Sequence, residues 1–194
     1  MHILCDTCSI LMLIRIAPNM FTDKRYECCT LTQVRQELLG THKFKSKYPW
    51  RSDYKDKIKC LPNSNFSNNK PYETILDTIN LLTTNDIASD QTGRRFDLSR
   101  VDRELLASSL SSKFVISTGD SELKEFAEQE FYEIYKGSIS PLGLINKWIR
   151  LGIIKWNKTR HQYVSDWNLL HEDPQPKKQK ALFKKLTGLK YPGS

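Results

Sequence analysis

Four acidic side chains occupy positions from which carboxylates can act together. Asp6 directly follows a first apolar run, and Asp120 stands two residues after a second. Glu37 and Asp102 lie in segments whose apolar spacing predicts helices. Carboxylate and water oxygens are the ligands that Mg²⁺ and Mn²⁺ prefer, and ions held this way position phosphate oxygens and lower the pKa of an attacking water. We call these four residues the carboxylate cluster and treat it as a candidate metal site.

Each of these acids also has a purely structural interpretation. Asp6 and Asp120 each precede a predicted helix, where aspartate is a common N-cap. Glu37 lies at the margin of the apolar stripe of its helix, where surface glutamates are usual. Asp102 completes the pattern Ser-x-x-Asp ahead of an apolar run, which is the signature of a capping box. Capping and metal binding are compatible roles, and Asp97 is a rival to Asp102 for its place in the cluster.

The elements that carry these acids predict an α/β fold. Short apolar runs predict strands over residues 2–5, 114–118, 131–135 and 153–156. Periodic apolar residues predict helices between Asp6 and Pro18 and over residues 30–39, 72–82, 99–110, 121–131 and 141–151. This order is typical of a parallel sheet with helices on both faces, whose ligands bind beyond the carboxyl ends of the strands. Asp6 and Asp120 are expected at that edge.

Two basic segments are candidate nucleic-acid-binding surfaces. Residues 41–72 carry a net charge of +6 and residues 137–194 a net charge of +8, with an acidic segment between them. Residues 41–72 lack periodicity and alternate cations with aromatic rings, which suits the phosphates and bases of a single strand. We expect a long insertion or mobile loop there. The alternative is a solvated, solubilising segment. The candidate binding residues are Lys43, Lys45, Lys47, Arg51, Lys177 and Lys178.

The order and surroundings of the acids resemble the PIN-domain family, which consists of compact metal-dependent nucleases. Four segments carry the resemblance: 3–8 (ILCDTC), 32–38 (TQVRQEL), 101–107 (VDRELLA) and 115–123 (VISTGDSEL). Together they extend it over about residues 1–155, apart from the insertion. The chain departs from the family pattern at Cys8, where a serine is common. The basic insertion and tail also set it apart from the small toxin members.

The resemblance implies a three-layer α/β/α fold with a short parallel sheet, and Mg²⁺- or Mn²⁺-dependent endoribonuclease activity. Asp6, Glu37, Asp102 and Asp120 would be the metal ligands and catalytic residues. Thr118 and Glu122 would have secondary roles. RNA is the favoured substrate and DNA the alternative. One candidate role is the toxin of a toxin–antitoxin pair, which would have an inhibitory protein partner, and a homodimer is a candidate assembly.

Composition sets the remaining expectations. With 39% hydrophobic and 27% charged residues among 194, the chain is globular rather than disordered. Its apolar runs fall far short of the roughly 20 residues that span a bilayer, and Asp6 and Arg15 disfavour a signal peptide. A cytoplasmic protein without membrane contact is expected. The predicted division is a nuclease domain over 1–165, which includes the insertion 41–72, and a basic C-terminal tail over 166–194.

Three other interpretations remain as alternatives. A PIN-like nucleic-acid-binding scaffold without turnover would keep the same fold and basic segments. A phosphotransferase of the haloacid dehalogenase type also begins with a strand and an aspartate. That family needs a second aspartate two residues later, where this chain has Cys8. Zinc held by Cys5 and Cys8 would need further ligands, and the sequence has no second Cys-x-x-Cys pair. Reduced thiols are therefore expected.

Overall fold

Four short parallel strands form the sheet on which the chain is built. The computed structural model describes residues 2–62, 70–170 and 175–192. Within these ranges the strands are β1 (Ile3–Cys5), β2 (Cys28–Cys29), β3 (Val115–Ser117) and β4 (Ser138–Ile139). They lie in the order β2-β1-β3-β4, and every neighbouring pair is parallel. The predicted α/β class with a short parallel sheet is confirmed.

Helices make up most of the rest of the described chain. They are α1 (Thr7–Leu13), α2 (Thr32–Gly40), α3 (His42–Lys47), α4 (Lys70–Thr84), α5 (Arg100–Ser112), α6 (Ser121–Glu130), α7 (Pro141–Arg150), α8 (Lys158–Leu170) and α9 (Lys177–Thr187). Two further segments, Lys24–Tyr26 and Pro49–Tyr54, are 3₁₀-helices. In the described ranges no helix combines the length and apolar character needed to cross a membrane.

The core lies where the central strands meet α1, α5 and α7. All residues of β1 and β3 are buried, and so are six of the seven residues of α1. A helix that is apolar on nearly all sides is typical of the interior, because it has no face that needs water. Trp148 of α7 is fully buried and meets Tyr26 edge to face, with ring centroids 4.9 Å apart. The two central strands are thus enclosed by the core, and their carboxyl ends lie at the same edge.

Two of the predicted strands are confirmed and two are wrong. The runs 2–5 and 114–118 contain β1 and β3. In contrast, residues 131–135 form a turn, because Tyr135 donates its backbone N–H back to the carbonyl of Phe131. The run 153–156 fails as a strand because Ile153 donates to the carbonyl of Trp148 at the end of α7. The two edge strands β2 and β4, each of two residues, were not predicted.

Residues 41–62 are helical over His42–Lys47 and Pro49–Tyr54 and place Tyr48 and Ile58 in the core, in contrast to the expected mobile loop. Helix α3 follows α2 after one residue, and the 3₁₀-helix follows α3. Tyr48 and Arg51 are only 1% and 3% exposed. The guanidinium of Arg51 donates to the carbonyls of Leu38, Leu39 and Tyr48 at 2.8, 3.0 and 3.3 Å. These carbonyls include two at the end of α2, so the charge serves as a C-terminal cap. Residues 63–69 of the predicted insertion lie outside the described residues.

Replacing Arg51 with methionine is therefore expected to destabilise the fold. The substitution keeps much of the apolar stem but leaves three backbone carbonyls without their donor. We expect the free energy of unfolding to fall by about 2–4 kcal/mol. The control is Lys43→Met on the exposed part of α3, which should change the stability by less than about 0.5 kcal/mol. Urea titration measures both. Equal, small effects would mean that Arg51 is not structural.

The C-terminal tail also packs on the fold. The predicted boundary between residues 165 and 166 falls inside α8, and α9 lies against α7. Phe183 of α9 is fully buried, and its ring meets Trp156 and Tyr191 edge to face at 4.9 and 5.7 Å. Tyr191 is 2% exposed. Residues 175–192 are therefore a docked helix with a short extension and not a solvated appendage.

Candidate carboxylate site

The register of β1 and β3 brings two of the predicted acids to one edge of the sheet. Cys5 pairs with Ser117 in the parallel ladder, and the backbone N–H of Asp6 donates to the carbonyl of Ser117 at 3.1 Å. Asp6 leaves β1 at the edge where Thr118 and Asp120 leave β3. Parallel strands end at the same edge, so an acid after each strand is placed beside the other.

Asp6 combines a capping role with an unusually buried carboxyl group. It is the N-cap of α1, and its Oδ1 accepts from the backbone N–H of Ser9 at 2.6 Å. The side chain is 8% exposed. The pKa of Asp6 is raised to about 6, first by burial and to a smaller extent by the negative charge of Asp102, while hydrogen bonds from Thr118 and Ser9 act in the opposite direction. Near neutral pH this carboxyl group is held as a poorly solvated anion.

Asp102 is the third residue of α5 and closes the predicted capping box. Its Oδ2 accepts from the hydroxyl and the backbone N–H of Ser99 at 2.6 and 3.2 Å, and its own N–H donates to Ser99 Oγ at 3.2 Å. Burial raises the pKa of Asp102, and the charges of Asp120 and Glu37 raise it further. The predicted capping box is confirmed, and the carboxylate that forms it also interacts with the charges of Asp120 and Glu37.

Asp120 and Glu37 reach the same region from two other helices. Asp120 is the N-cap of α6, and its Oδ1 accepts from the backbone N–H groups of Glu122 and Leu123 at 2.8 and 3.3 Å. Glu37 lies on α2, and its Oε2 accepts from the hydroxyl of Thr7 on α1. The negative charges of both acids raise the pKa of Asp102.

Within the carboxylate cluster, Asp102 is the residue whose negative charge interacts with those of the other three acids. Asp102 interacts with Asp6, with Glu37 and with Asp120. Three of the four acids stand at helix N-termini, whose partial positive charge offsets part of the repulsion. The remaining repulsion, together with the burial of Asp6, favours uptake of a proton or a cation.

The donor chemistry fits a hard divalent cation, but the side chains are not gathered into a coordination shell. All four members of the cluster offer carboxylate oxygens, which suits Mg²⁺ or Mn²⁺. In the part of the chain that the structure describes, no three or more Asp, Glu, His or Cys side chains converge closely enough to hold a metal ion. The carboxylates instead face hydroxyl and amide donors. Asp6, Asp102 and Asp120 cap helices, and Glu37 accepts from Thr7.

The two predicted secondary residues have different positions. Thr118 is 6% exposed; its Oγ1 accepts from the N–H of Asp120 at 2.9 Å, and its side chain hydrogen-bonds Asp6. It therefore bridges two members of the cluster. Glu122 accepts instead from the backbone N–H of Asp97, ahead of α5. Asp97 itself is exposed, and the acid whose charge acts on Asp6 is Asp102.

Sequence reasoning missed the hydroxyl groups that support the acids. Thr7 donates its hydroxyl to Glu37. Ser9 is fully buried, its hydroxyl donates to the carbonyl of Ser117 at 2.9 Å, and its backbone N–H holds Asp6. The available signal was the presence of Thr7 and Ser9 just after Asp6. The N-cap interpretation of Asp6 is itself confirmed.

The predicted cations are divided among three environments. Lys43, Lys45 and Lys47 are exposed on α3, and Lys47 lines a cavity of about 330 Å³ with Arg15 and Trp167. The buried guanidinium of Arg51 caps α2, so its prediction as a nucleic-acid ligand is wrong. Lys177 and Lys178 are exposed at the start of α9, and Lys178 lines a second cavity together with Asp120.

Comparison with known proteins adds no relative. No family model, no curated protein and no solved structure matches this chain. The proposals below therefore depend on the residues and on their geometry.

In the metal-free protein, Asp6→Asn is expected to raise stability at neutral pH. Because burial raises the pKa of Asp6 from 3.8 to about 6, the folded state binds the proton more tightly than the unfolded state does. The free energy of unfolding should therefore fall as pH rises from about 4 to 6 and remain lower above that. Asparagine keeps the N-cap without the charge. We expect a gain of about 1–3 kcal/mol at pH 8 and none near pH 4.

Urea titrations in the presence of a chelator, from pH 4 to pH 8, measure this difference. The matched control is Asp97→Asn, which removes an exposed carboxylate of the same size. A parallel pH dependence in wild type and Asp6→Asn would mean that Asp6 is not the destabilising anion.

Proposed function

We propose that this protein is a Mg²⁺- or Mn²⁺-dependent endoribonuclease with a PIN-like three-layer α/β/α fold. The observation that carries the proposal is the placement of Asp6 and Asp120 after the paired strands β1 and β3, at one edge of the sheet, where the charges of the cluster also raise the pKa of Asp102. The charges of Asp6, Glu37 and Asp120 all act against that of Asp102, and three of the four acids stand at helix N-termini, where a neutral asparagine or serine would cap equally well. A divalent cation would make this arrangement favourable, because it replaces repulsion by shared attraction.

The chemistry follows from the donor set. A divalent ion bound at these carboxylates lowers the pKa of a coordinated water and neutralises charge on a phosphate. Asp6, Glu37, Asp102 and Asp120 would hold that ion. Thr118 would keep Asp6 and Asp120 in position, as it does through its hydrogen bonds to both. Buried hydroxyls that orient metal-binding carboxylates are a common feature of such sites.

The substrate proposal rests on charge and on the resemblance. The chain carries a net charge of +8, which favours a polyanion. Exposed lysines occur on α3 and α9. RNA is the substrate that the resemblance favours. A role as the toxin of a toxin–antitoxin pair belongs to the same proposal and would require an inhibitory protein partner.

One observation favours a second candidate, a nucleic-acid-binding scaffold without turnover. Within the described ranges, the carboxylates point to hydroxyls and amides and do not converge on a common point. A protein that uses its acids only as helix caps would have this appearance.

Cleavage of labelled RNA and DNA separates the two candidates. Wild-type protein is incubated with single-stranded and hairpin oligonucleotides in Mg²⁺, in Mn²⁺ or in a chelator, and the products are resolved by length. Internal cleavage of RNA that requires a metal supports the nuclease. Oligonucleotide binding without cleavage under all these conditions supports the scaffold and contradicts the nuclease.

A further inference from the structure

A cleft of about 600 Å³ opens next to the carboxylate cluster. Its walls come from the start of α6, the end of β4 and the start of α9, and we call it the α6–α9 cleft. Its polar lining includes Asp120, Lys124, Ser138, Ser140, Lys178 and Gln179. Thr118, which bridges Asp6 and Asp120, also lines it. The cleft therefore shares two residues with the candidate site and continues away from it along the sheet edge.

The wall formed by α9 is held in place by uncharged contacts. The backbone N–H of Leu142 donates to Gln175 Oε1 at 3.1 Å, and Nδ2 of Asn146 donates to the carbonyl and Oε1 of Gln179, both at 2.9 Å. Gly143 lets the start of α7 lie close to β4, since a Cβ there would lie 2.9 Å from Cγ1 of Ile139. Buried Phe183 anchors the rest of the helix. None of these contacts uses the charge of Lys178, which is exposed at the cleft.

The lining combines apolar surface, which a nucleotide base can contact, with polar groups, which a phosphate can contact. It offers hydroxyls, amides and two lysines, Lys124 from α6 and Lys178 from α9, beside the carboxylates of Asp120 and Glu128. Lys124 lies 3.8 Å from Glu128, so part of its charge is already compensated, and Lys178 is the stronger candidate for a phosphate contact. The N-terminal ends of α6 and α9 add partial positive charge on the same side. The volume lies within the range of small-molecule sites and is sufficient for one nucleotide.

We propose that the α6–α9 cleft binds the nucleotide adjacent to the cleaved phosphate and that Lys178 contacts its backbone phosphate. This inference rests on the proposed function, because the cleft matters for catalysis only if the carboxylate cluster cleaves the strand. In this proposal α9 contacts one phosphate at a defined position, which differs from a general electrostatic attraction of polyanions. Lysine acts as a point charge towards phosphate and carries no base specificity, so the subsite accepts any base.

The test compares Lys178→Ala with Lys184→Ala. Both residues are exposed lysines of α9, but only Lys178 lines the cleft, so the two variants lose the same net charge from the same helix. Binding of a fluorescent single-stranded oligonucleotide is measured by anisotropy in a chelator, so that no cleavage takes place. RNA and DNA of the same sequence are both used, because the phosphodiester is common to them. Thermal unfolding of each variant verifies the fold.

Lys178→Ala is expected to weaken binding about five- to tenfold at about 0.05 M salt and to reduce the slope of log K against log salt by about 0.7. Lys184→Ala should change the affinity less than about twofold. A selective loss with RNA, with DNA or with both supports the subsite and identifies the strand it accepts. Equal effects of the two variants, or no binding by the wild type, overturn it.

The binding measurement is independent of turnover, so the two proposals can fail separately. A selective loss in Lys178→Ala without any metal-dependent cleavage supports the phosphate contact of Lys178 in the cleft and contradicts the nuclease. If the wild type cleaves RNA and the two variants bind the oligonucleotide with the same affinity, the subsite is contradicted and the nuclease proposal stands.

Discussion

Asparagine in place of Asp6 is expected to reduce the initial rate of metal-dependent RNA cleavage at least about a hundredfold. Asp6 is the most buried member of the carboxylate cluster and has the pKa raised to about 6. Removing its charge takes away one metal-binding oxygen and keeps the N-cap of α1. Asp120→Asn should reduce the rate by a similar factor, because Asp120 follows β3 at the same edge of the sheet where Asp6 follows β1. Initial rates at saturating Mg²⁺ or Mn²⁺ measure both.

Asp97→Asn is the control, since its carboxylate is exposed and of the same chemical type. It should keep the wild-type rate. Oligonucleotide binding in a chelator should be unchanged or stronger in Asp6→Asn, because the variant removes a negative charge. Full activity in Asp6→Asn or in Asp120→Asn would contradict the carboxylate site. Full activity in Asp102→Asn together with loss in Asp97→Asn would transfer the role of Asp102 to Asp97.

Alanine at Phe183 is expected to lower the free energy of unfolding by about 3–5 kcal/mol. The ring is fully buried between Trp156 and Tyr191, and its removal leaves a cavity that α9 can close only by moving. The effect should extend to the whole domain, because α9 packs against α7 and α7 carries the fully buried Trp148. Deleting residues 175–194 should destabilise the protein at least as strongly.

The control for this substitution is Leu189→Ala, an apolar residue after the same helix that is 43% exposed. It should cost less than about 1 kcal/mol. Denaturant titration followed by tryptophan fluorescence is suitable, because Trp148, Trp156 and Trp167 all lie in this half of the chain. An unchanged midpoint in Phe183→Ala would mean that the tail is not part of the folded core, as composition alone had indicated.

Phe183 and Lys178 separate two roles of one helix. Phe183 attaches α9 to the fold, and Lys178 presents a charge to the α6–α9 cleft. Truncation of the tail would remove both at once, so a loss of binding in a truncated protein would not distinguish them. The point substitutions do distinguish them, since one changes the midpoint of unfolding and the other the salt dependence of binding.

Local patterns in the sequence predicted the parts of the fold that neighbours in the chain determine. The apolar runs around β1 and β3 predicted buried strands, and Ser99 with Asp102 predicted a capping box that the structure contains. These features depend on residues at most four positions apart, so they can be recognised from the sequence alone. The position of Asp6 and Asp120 after parallel strands placed them at one edge, because all such strands end there.

Edge strands and packed basic segments depended on partners far away in the chain. The strands β2 and β4 have two residues each, too few for a periodic pattern, and they exist because β1 and β3 offer them hydrogen-bonding edges. Arg51 looked like a ligand for phosphate, but carbonyls at the end of α2 take up its donors. A charge in a sequence does not reveal whether its partner is solvent, substrate or backbone.

The sequence by itself thus determined the α/β class, the central strands and the capping box, and it named four acids as candidate site residues. Only the tertiary structure decided that Asp102 is their common electrostatic neighbour, that Thr7, Ser9 and Thr118 support them, and that α9 forms a wall beside Asp120. The reason is physical. Hydrogen bonds within a turn are set by adjacent residues, whereas repulsion between charges and closure of a cleft depend on distances through space that only packing establishes.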